Sequence, residues 1–299
     1  MAEINKFKKV AVLMGGPSDE REVSLRSGRA VVSGLINAGY EALAIDVTGD
    51  DIVIGNDIEA VFIALHGRFG EDGGVQAVLD ERGVPYTGSG AEASCAAFDK
   101  EISKKIFAEN RIMSPKYEIL SCHDQRTLPL PVVCKPTCQG SSIGVHRVFK
   151  ESDWQPAVTD TLKFGRKALV EKYVEGRELT VGIVGGEPLP LVEIVAPNNW
   201  YGYEAKYTKG ESKYFVPAQV SESISDACKS VAMDVFHALK CRGFGRVDIR
   251  LAENGDLYVL EMNSIPGFTE TSLLPKAAAE AGMTFPALCD RIMRTAQVG

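Results

Sequence analysis

The 299-residue sequence lacks the short signals that identify several large classes of protein. Its seven cysteines are scattered and form no CxxC pair, and the four histidines do not stand near them at zinc-binding spacing. This argues against a disulfide framework or a structural zinc site, and favours a reducing, cytoplasmic compartment. No uncharged apolar stretch reaches the length of about 18 residues that a membrane span needs. With 33 Lys and Arg against 40 Asp and Glu, the chain is also a poor candidate for binding nucleic acid.

The first third of the chain alternates between strand-like and helix-like segments, which predicts a parallel sheet with crossover helices. Strands are predicted at residues 9–14, 40–47 and 60–65, and helices at 19–38 and 75–82. Ligands bind at the carboxyl ends of the strands in such sheets. The turns at 15–22 and 66–67 are therefore candidate site segments.

The later segments are less regular. A charged pattern predicts one helix over about 91–110, and the stretch 132–195 is typical of strands separated by Gly-containing turns. A polar loop follows at about 196–215, then a helix at about 223–240 and a hairpin at 244–263. Helices complete the C-terminal part. At roughly 150 residues per domain the length allows two domains, or three small ones. We expect boundaries near 95 and 184, giving domains of residues 1–95, 96–184 and 185–299.

The segment 243–263 predicts a hairpin that places two carboxylates face to face. Asn254-Gly255 is a strong signal for a two-residue turn. A two-residue loop there pairs Asp248 with Glu261 and Arg246 with Asn263, all on one face. The other face would carry an apolar set suited to a core: Val247, Ile249, Leu251, Tyr258, Leu260 and Met262.

Facing carboxylates repel one another across a strand pair. A divalent cation between them would make the electrostatic interaction favourable. Two carboxylates and an amide are hard oxygen donors that suit Mg²⁺. The alternative is an exposed polar face on which Arg246 neutralises Asp248. The donor-rich loop that follows, 264–269, favours a site.

A glycine- and serine-rich loop lies at 135–145, between two strand-like runs. Its backbone N–H groups would suit phosphates, although an ordinary hairpin loop has the same composition. It is neither GxxxxGK[ST] nor GxGxxG, which excludes a P-loop and the usual dinucleotide turn. Lys100, Lys135 and the segment 171–174 are compatible with a nucleotide site or with ordinary surface positions, and His66 is compatible with an ordinary strand-end histidine.

Together these segments resemble the ATP-grasp superfamily, and more closely the D-alanine–D-alanine ligases. The resemblance runs from Val10 to about Ile292 in eight ordered segments: MGGPSDEREVSLRSG (14–28), FIALHGRFGEDG (62–73), PYTGSG (85–90), VCKPTCQGSSIGV (133–145), EKYVEGRELTV (171–181), YEAKY (203–207), GFGRVDIRL (243–251) and LEMNSIPGFTETSLLP (260–275). It implies a three-domain α/β architecture, α+β in its later parts, with an N-terminal parallel sheet. It also implies ATP, two Mg²⁺ ions that Mn²⁺ can replace, K⁺ as a further candidate ion, and a homodimer.

In this family ATP and two D-alanines give the dipeptide, ADP and phosphate through an acyl phosphate. The resemblance implies roles at the matching positions. Nucleotide contacts fall to Lys100, Lys135, Glu171, Lys172, Tyr173, Val174, Glu178 and Lys206. Metal ligation falls to Asp248, Glu261 and Asn263. Binding of the two amino acids and catalysis fall to Glu20, His66, Ser141, Tyr207, Arg246, Gly267, Ser272 and Leu273.

The sequence departs from the family pattern at two places. Thr137-Cys138-Gln139 replaces a more usual Ser-Arg/Lys-Glu before the Gly-Ser-Ser, which bears on closure of the phosphate loop. Phe268 and Glu270-Thr271 also differ, which bears on the second substrate's pocket. Another carboxylate–amine ligase, a D-alanine–D-lactate ligase and a non-catalytic nucleotide-binding protein remain alternatives. An intact set of polar and charged residues argues against the last, namely Lys135, Arg246, Asp248, Glu261 and Asn263.

Overall fold

In the computed structural model, residues 7–49, 51–196, 212–269 and 272–299 are described. Within them the strands form three sheets. The helices are α1 (Arg21–Asn37), α2 (Gly74–Glu81), α3 (Ala91–Phe98), α4 (Lys100–Glu109), α5 (Glu151–Thr161), α6 (Glu222–Ala238), α7 (Leu273–Glu280) and α8 (Phe285–Met293). None of these helices has the length and apolar character needed to cross a membrane.

The first sheet is parallel, as the alternating pattern predicts. Its strands are β1 (Lys9–Gly15), β2 (Glu41–Val47) and β3 (Ala60–Ile63), in the order β2-β1-β3. The central strand β1 is buried almost throughout, because helices and the C-terminal elements cover both faces of a parallel sheet. The carboxyl ends of β1 and β3 lead into the turns that carry Glu20 and His66.

The second sheet is antiparallel and carries the glycine-rich loop. Its strands are β4 (Tyr117–Leu120), β5 (Val132–Pro136), β6 (His146–Val148) and β7 (Ala168–Lys172), in the order β4-β7-β5-β6. The loop connects β5 to β6. Pairing of β5 with β7 sets Lys135 opposite Leu169 and Val133 opposite Glu171, so the two candidate nucleotide segments lie on adjacent strands.

The third sheet contains the hairpin. Its strands are β8 (Gly176–Val184), β9 (Glu187–Pro188), β10 (Val192–Val195), β11 (Lys213–Phe215), β12 (Phe244–Ala252) and β13 (Leu257–Asn263). The order is β11-β10-β8-β12-β13, with β9 paired to β8. The expected loop at 196–215 therefore ends in a strand, since its last three residues pair with β10.

Two expected elements differ in the structure. The helix predicted over 91–110 is broken at Asp99, where the backbone is extended. The Asp99 side chain caps α4 by accepting from the N–H groups of Glu101 and Ile102. The stretch 132–195 contains a helix, α5, which the strand prediction missed. Only three of its eleven residues are buried, so its hydrophobic periodicity is weak.

The boundary expected near 184 falls at the end of β8. Strand β8 pairs with β12 along its whole length, from Gly176 opposite Ala252 to Val184 opposite Phe244. Sheet membership thus places β8 with the later strands, and we propose a boundary just before Gly176 in place of 184. The boundary expected near 95 falls inside α3.

Candidate active site

The hairpin of β12 and β13 sets the predicted carboxylates face to face. Asp248 pairs with Glu261 and Arg246 pairs with Asn263, as predicted. The turn itself differs, because Ala252 N–H donates to Asp256 O and encloses three loop residues where two were predicted. A β-bulge after Asp248 restores the register at the site.

The bulge changes which side chains of β13 face the core. Val259 is fully buried and Leu257 packs beside it, whereas Leu260 lines a cleft. The prediction that Tyr258 and Leu260 belong to the apolar face was therefore wrong. The extra residue of a bulge reverses the alternation on one side of it.

The carboxylate of Asp248 accepts four hydrogen bonds. Arg246 donates to both of its oxygens, each at 2.9 Å. Thr180 Oγ1 donates to Oδ1 at 2.6 Å and Asn263 Nδ2 to Oδ2 at 3.0 Å. The ion pair between Arg246 and Asp248, which the sequence offered as the alternative to a metal site, is therefore present. Glu261 has a different cation, the ammonium of Lys100 at 3.3 Å.

Lys135 and Glu171 belong to a buried row of charges. Glu171 lies between two ammonium groups, with Lys104 Nζ 2.6 Å from Oε1 and Lys135 Nζ 2.7 Å from Oε2. Burial would raise the pKa of Glu171, but the two lysines outweigh it and lower that pKa. Burial lowers the pKa of Lys104 to about 8, with Glu171 opposing the shift. Burial also acts to lower the pKa of Lys135, but the negative charges of Glu171 and Glu261 raise it overall.

These groups open into a cleft between the second and third sheets. Nine residues predicted to hold nucleotide or metal line it: Lys100, Lys135, Glu171, Lys172, Tyr173, Val174, Glu178, Asp248 and Glu261. Val133, Val145 and Leu260 add apolar walls. A lining that combines charged groups with apolar walls suits a ligand with a ring and an anionic tail.

The glycine-rich loop joins this cleft to the end of the first sheet. Lys100 Nζ donates to Gln139 O at 2.8 Å, and Ser141 Oγ donates to Glu20 Oε1. A Cβ on Gly140 would lie 2.6 Å from Glu20 Oε2, so a larger residue here would have to displace the Glu20 carboxylate. Gln139, at one of the unusual loop positions, also reaches Asp19 at 3.4 Å. Two predicted substrate residues thus meet through a loop that also contacts the cleft.

His66 lies on the inner side of this region and is nearly fully buried. Its Nε2 is 3.2 Å from Ser27 Oγ and its Nδ1 is 3.7 Å from Glu71. Burial acts to lower the pKa of His66, but the nearby negative charge of Glu71 raises it overall. Ser27 Oγ also accepts from Phe268 N–H at 3.2 Å, which ties the His66 turn to the loop after β13.

The loop after β13 carries Gly267 and Ser272, and Leu273 begins α7 directly after it. Gly267 approaches Ser272 closely, since a Cβ there would lie 2.8 Å from Ser272 Oγ. Ser272 Oγ accepts from Thr269 N–H at 3.0 Å. The side chain of Leu273 is buried in the core beneath the first sheet, which leaves its backbone for any ligand. Lys206 and Tyr207 lie outside the described residues.

Three residues of this site were missed from the sequence. Lys104 follows Lys100 by one helical turn on α4, a spacing that puts both on one face. Arg250 follows Asp248 by two on β12 and pairs with Glu178 at 3.0 Å, so strand alternation could have found it. Thr180 has no local signal, because its contact with Asp248 arises from the pairing of β8 with β12.

Comparison with known proteins agrees with this geometry. The family model described as D-ala D-ala ligase C-terminus matches residues 104–294, and that described as D-ala D-ala ligase N-terminus matches 53–89. A D-alanine–D-alanine ligase of Methylacidiphilum infernorum is 45% identical over 96% of this chain and 94% of its own. One of Desulforudis audaxviator is 46% identical over 97% and 99%.

Solved structures give the same result. The D-alanine–D-alanine ligase of Bacillus anthracis complexed with ATP has a TM-score of 0.85 at 32% identity, covering 97% of each chain. The VanG D-Ala:D-Ser ligase of Enterococcus faecalis has a TM-score of 0.84 at 25% identity, covering 96% of this chain and 98% of its own. With relatives this similar along nearly its whole length, the chain belongs to the D-alanine–D-alanine ligase family.

Proposed function

We propose that the chain joins two D-alanines to D-alanyl-D-alanine, with conversion of ATP to ADP and phosphate, in the synthesis of cell-wall precursor. The observation that carries this proposal is one continuous site. The cleft lined by Lys100 and Lys135 connects through the loop at Gly140 to the contact between Ser141 and Glu20. Phosphoryl donor and amino-acid acceptor can thus meet at that loop.

The residues support an acyl-phosphate route. The carboxylate of the first D-alanine attacks the γ-phosphorus and ADP leaves; the amine of the second then attacks the acyl carbon and phosphate leaves. Both reacting carboxylate and phosphate are anionic, so the step needs cations that are already in position. Lys100 and Lys135 meet that need, Lys206 is proposed to add a third cation, and no side-chain nucleophile is required.

Substrate orientation is assigned to the groups around the first sheet. Glu20 would accept the ammonium of the first D-alanine, with Ser141 fixing the carboxylate of Glu20 and His66 nearby. Arg246 and the Gly267 N–H would stabilise the oxyanion of the tetrahedral intermediate. Ser141, Ser272 and the backbone of Leu273 would hold the second D-alanine, and Tyr207 would close the site.

The donor set fits Mg²⁺. Two carboxylates and an amide oxygen, from Asp248, Glu261 and Asn263, are hard ligands on one face of the hairpin. Bound there, two Mg²⁺ ions would screen the charge of the nucleotide phosphates. Among the described residues no cluster of three or more His, Cys, Asp or Glu side chains suggests another metal site. Replacement by Mn²⁺, a role for K⁺, a homodimer and a cytoplasmic location are further parts of this proposal.

An assay of ADP release, coupled to a detecting enzyme, tests the proposal. We expect turnover with D-alanine, none with L-alanine and little with D-lactate as second substrate. Because the VanG neighbour is a D-Ala:D-Ser ligase, D-serine belongs in the panel as the strongest competing acceptor. Identification of the product by chromatography separates dipeptide synthesis from simple ATP hydrolysis. ADP release without D-alanyl-D-alanine would refute the proposal.

A further inference from the structure

A lysine with no assigned role lies beneath the nucleotide cleft. The Lys104 side chain is fully buried on α4. Its Nζ is 2.6 Å from Glu171 Oε1, donates to Val259 O at 3.1 Å, and lies 5.8 Å from the centre of the Phe107 ring. Taking an ammonium group out of water is costly, and well-packed apolar residues often replace buried ion pairs without loss of stability. A purely structural role therefore explains its position poorly.

The neighbours of Lys104 indicate what its charge does. Glu171 contacts Lys104 with one oxygen and Lys135 with the other, and all three side chains are almost completely buried. Two cations and one anion leave a single net positive charge. Lys135 and Glu171 line the cleft whereas Lys104 does not, so Lys104 compensates Glu171 from the core side.

We propose that Lys104 is a positioning residue for nucleotide binding: by neutralising Glu171 from behind, it leaves the charge of Lys135 available to phosphates in the cleft. This inference rests on the proposed function only in taking the cleft as the nucleotide site. Without Lys104, Glu171 and Lys135 form a closed neutral pair. An incoming phosphate then has to compete with Glu171 for Lys135.

The test is equilibrium binding of ADP to the full chain by calorimetry, with no D-alanine present. Lys104→Met keeps the length of the side chain and removes its charge. We expect its ADP affinity to fall on the order of tenfold, as for directly coupled charges in one network. In steady-state assays the KM for ATP should rise by a similar factor, with kcat changed less. Lys105→Met is the matched control, since Lys105 is exposed on the same helix and pairs with Glu101 at 2.8 Å.

A second variant separates this role from a structural one. In a Glu171→Gln background the anion that Lys104 compensates is absent and Lys135 is free, so adding Lys104→Met should change ADP affinity there by no more than about threefold, against about tenfold in the parent. The double variant also lacks the uncompensated buried carboxylate, so it remains informative where the single variant does not fold. A folded Lys104→Met with parental ADP affinity would overturn the inference. A double variant whose loss of ADP affinity equals the product of the losses in the two single variants would overturn it as well. The parent's ADP affinity reports separately on the nucleotide site, and the dipeptide assay on the reaction.

Discussion

Replacement of Glu261 by Gln separates the proposed metal role of the hairpin from its structural role. Gln keeps the shape of the side chain and removes its charge. In the structure Glu261 faces Asp248 across the strands and pairs with Lys100 at 3.3 Å. Its side chain is 27% exposed. The substitution therefore removes one proposed ligand and one partly exposed ion pair.

The structure also changes the expected effect on stability. From the sequence alone, two facing carboxylates repel, and removal of one should stabilise the metal-free protein by about 0.2–1 kcal/mol. Each carboxylate has its own cation, however, Arg246 for Asp248 and Lys100 for Glu261, so little repulsion is left to relieve. The Lys100 end of the pair with Glu261 is only 9% exposed, but the amide oxygen of Gln can still accept from Lys100, so loss of the charge should cost about 1 kcal/mol. We expect the free energy of unfolding in EDTA to stay within about 1 kcal/mol of the parent.

Catalysis should respond far more strongly than stability. Loss of even an indirect partner of a metal ligand weakens binding or activity by about 10–100-fold, so loss of a direct ligand should reach at least the upper end of that range. The assays are denaturant unfolding in EDTA, and turnover and Mn²⁺ binding in the presence of ATP. Glu253→Gln is the control, with the same charge change on the exposed turn of the same hairpin. Near-normal turnover of Glu261→Gln with an unaltered Mg²⁺ requirement would refute the metal assignment.

Three further substitutions test the amino-acid side of the site. Arg246→Lys should lower kcat by about 10²–10³, since a point charge replaces a planar fork at the oxyanion, and a rise in the KM for ATP alone would contradict that role. Gly140→Ala should raise the KM for D-alanine, because its Cβ would lie 2.6 Å from Glu20 Oε2; Gly49→Ala, where nothing lies within 4 Å, should leave it unchanged. Tyr207→Phe should lower dipeptide synthesis and raise the share of D-lactate ester at pH 6 relative to pH 8, and an unchanged product ratio would remove Tyr207 from the specificity argument.

The hairpin shows how much the sequence could specify and where it stopped. Asn254-Gly255 predicted a turn of two residues, whereas the loop has three. That difference alone would shift the pairing by one residue and separate Asp248 from Glu261. The bulge after Asp248 shifts the pairing back by one residue. Val259 and Met262 are three residues apart, so both can face the core only if the strand contains one extra residue between them. The facing pair was predicted correctly through two departures that cancel.

The contacts that sequence reasoning could not supply join distant segments. Glu171 was assigned to the nucleotide from its place at the end of a strand, and its lysine partners come from another helix and another strand. Thr180 reaches Asp248 from a strand 68 positions earlier in the chain. Periodicity and turn signals describe neighbours along the chain, so they place the polar face of each element but not the element that packs against it.

The hydrogen bonds of Asp248 link two roles that were assigned separately. A carboxylate offers about four acceptor sites, and Arg246, Thr180 and Asn263 use four on Asp248. Under the proposed function, Mg²⁺ can bind Asp248 only where a donor withdraws. Arg246 supplies two of the four bonds and is also the group proposed to stabilise the oxyanion. Withdrawal of Arg246 would open two acceptor positions on Asp248 and would also make the guanidinium available to the intermediate, so under the proposed function one movement would serve both roles.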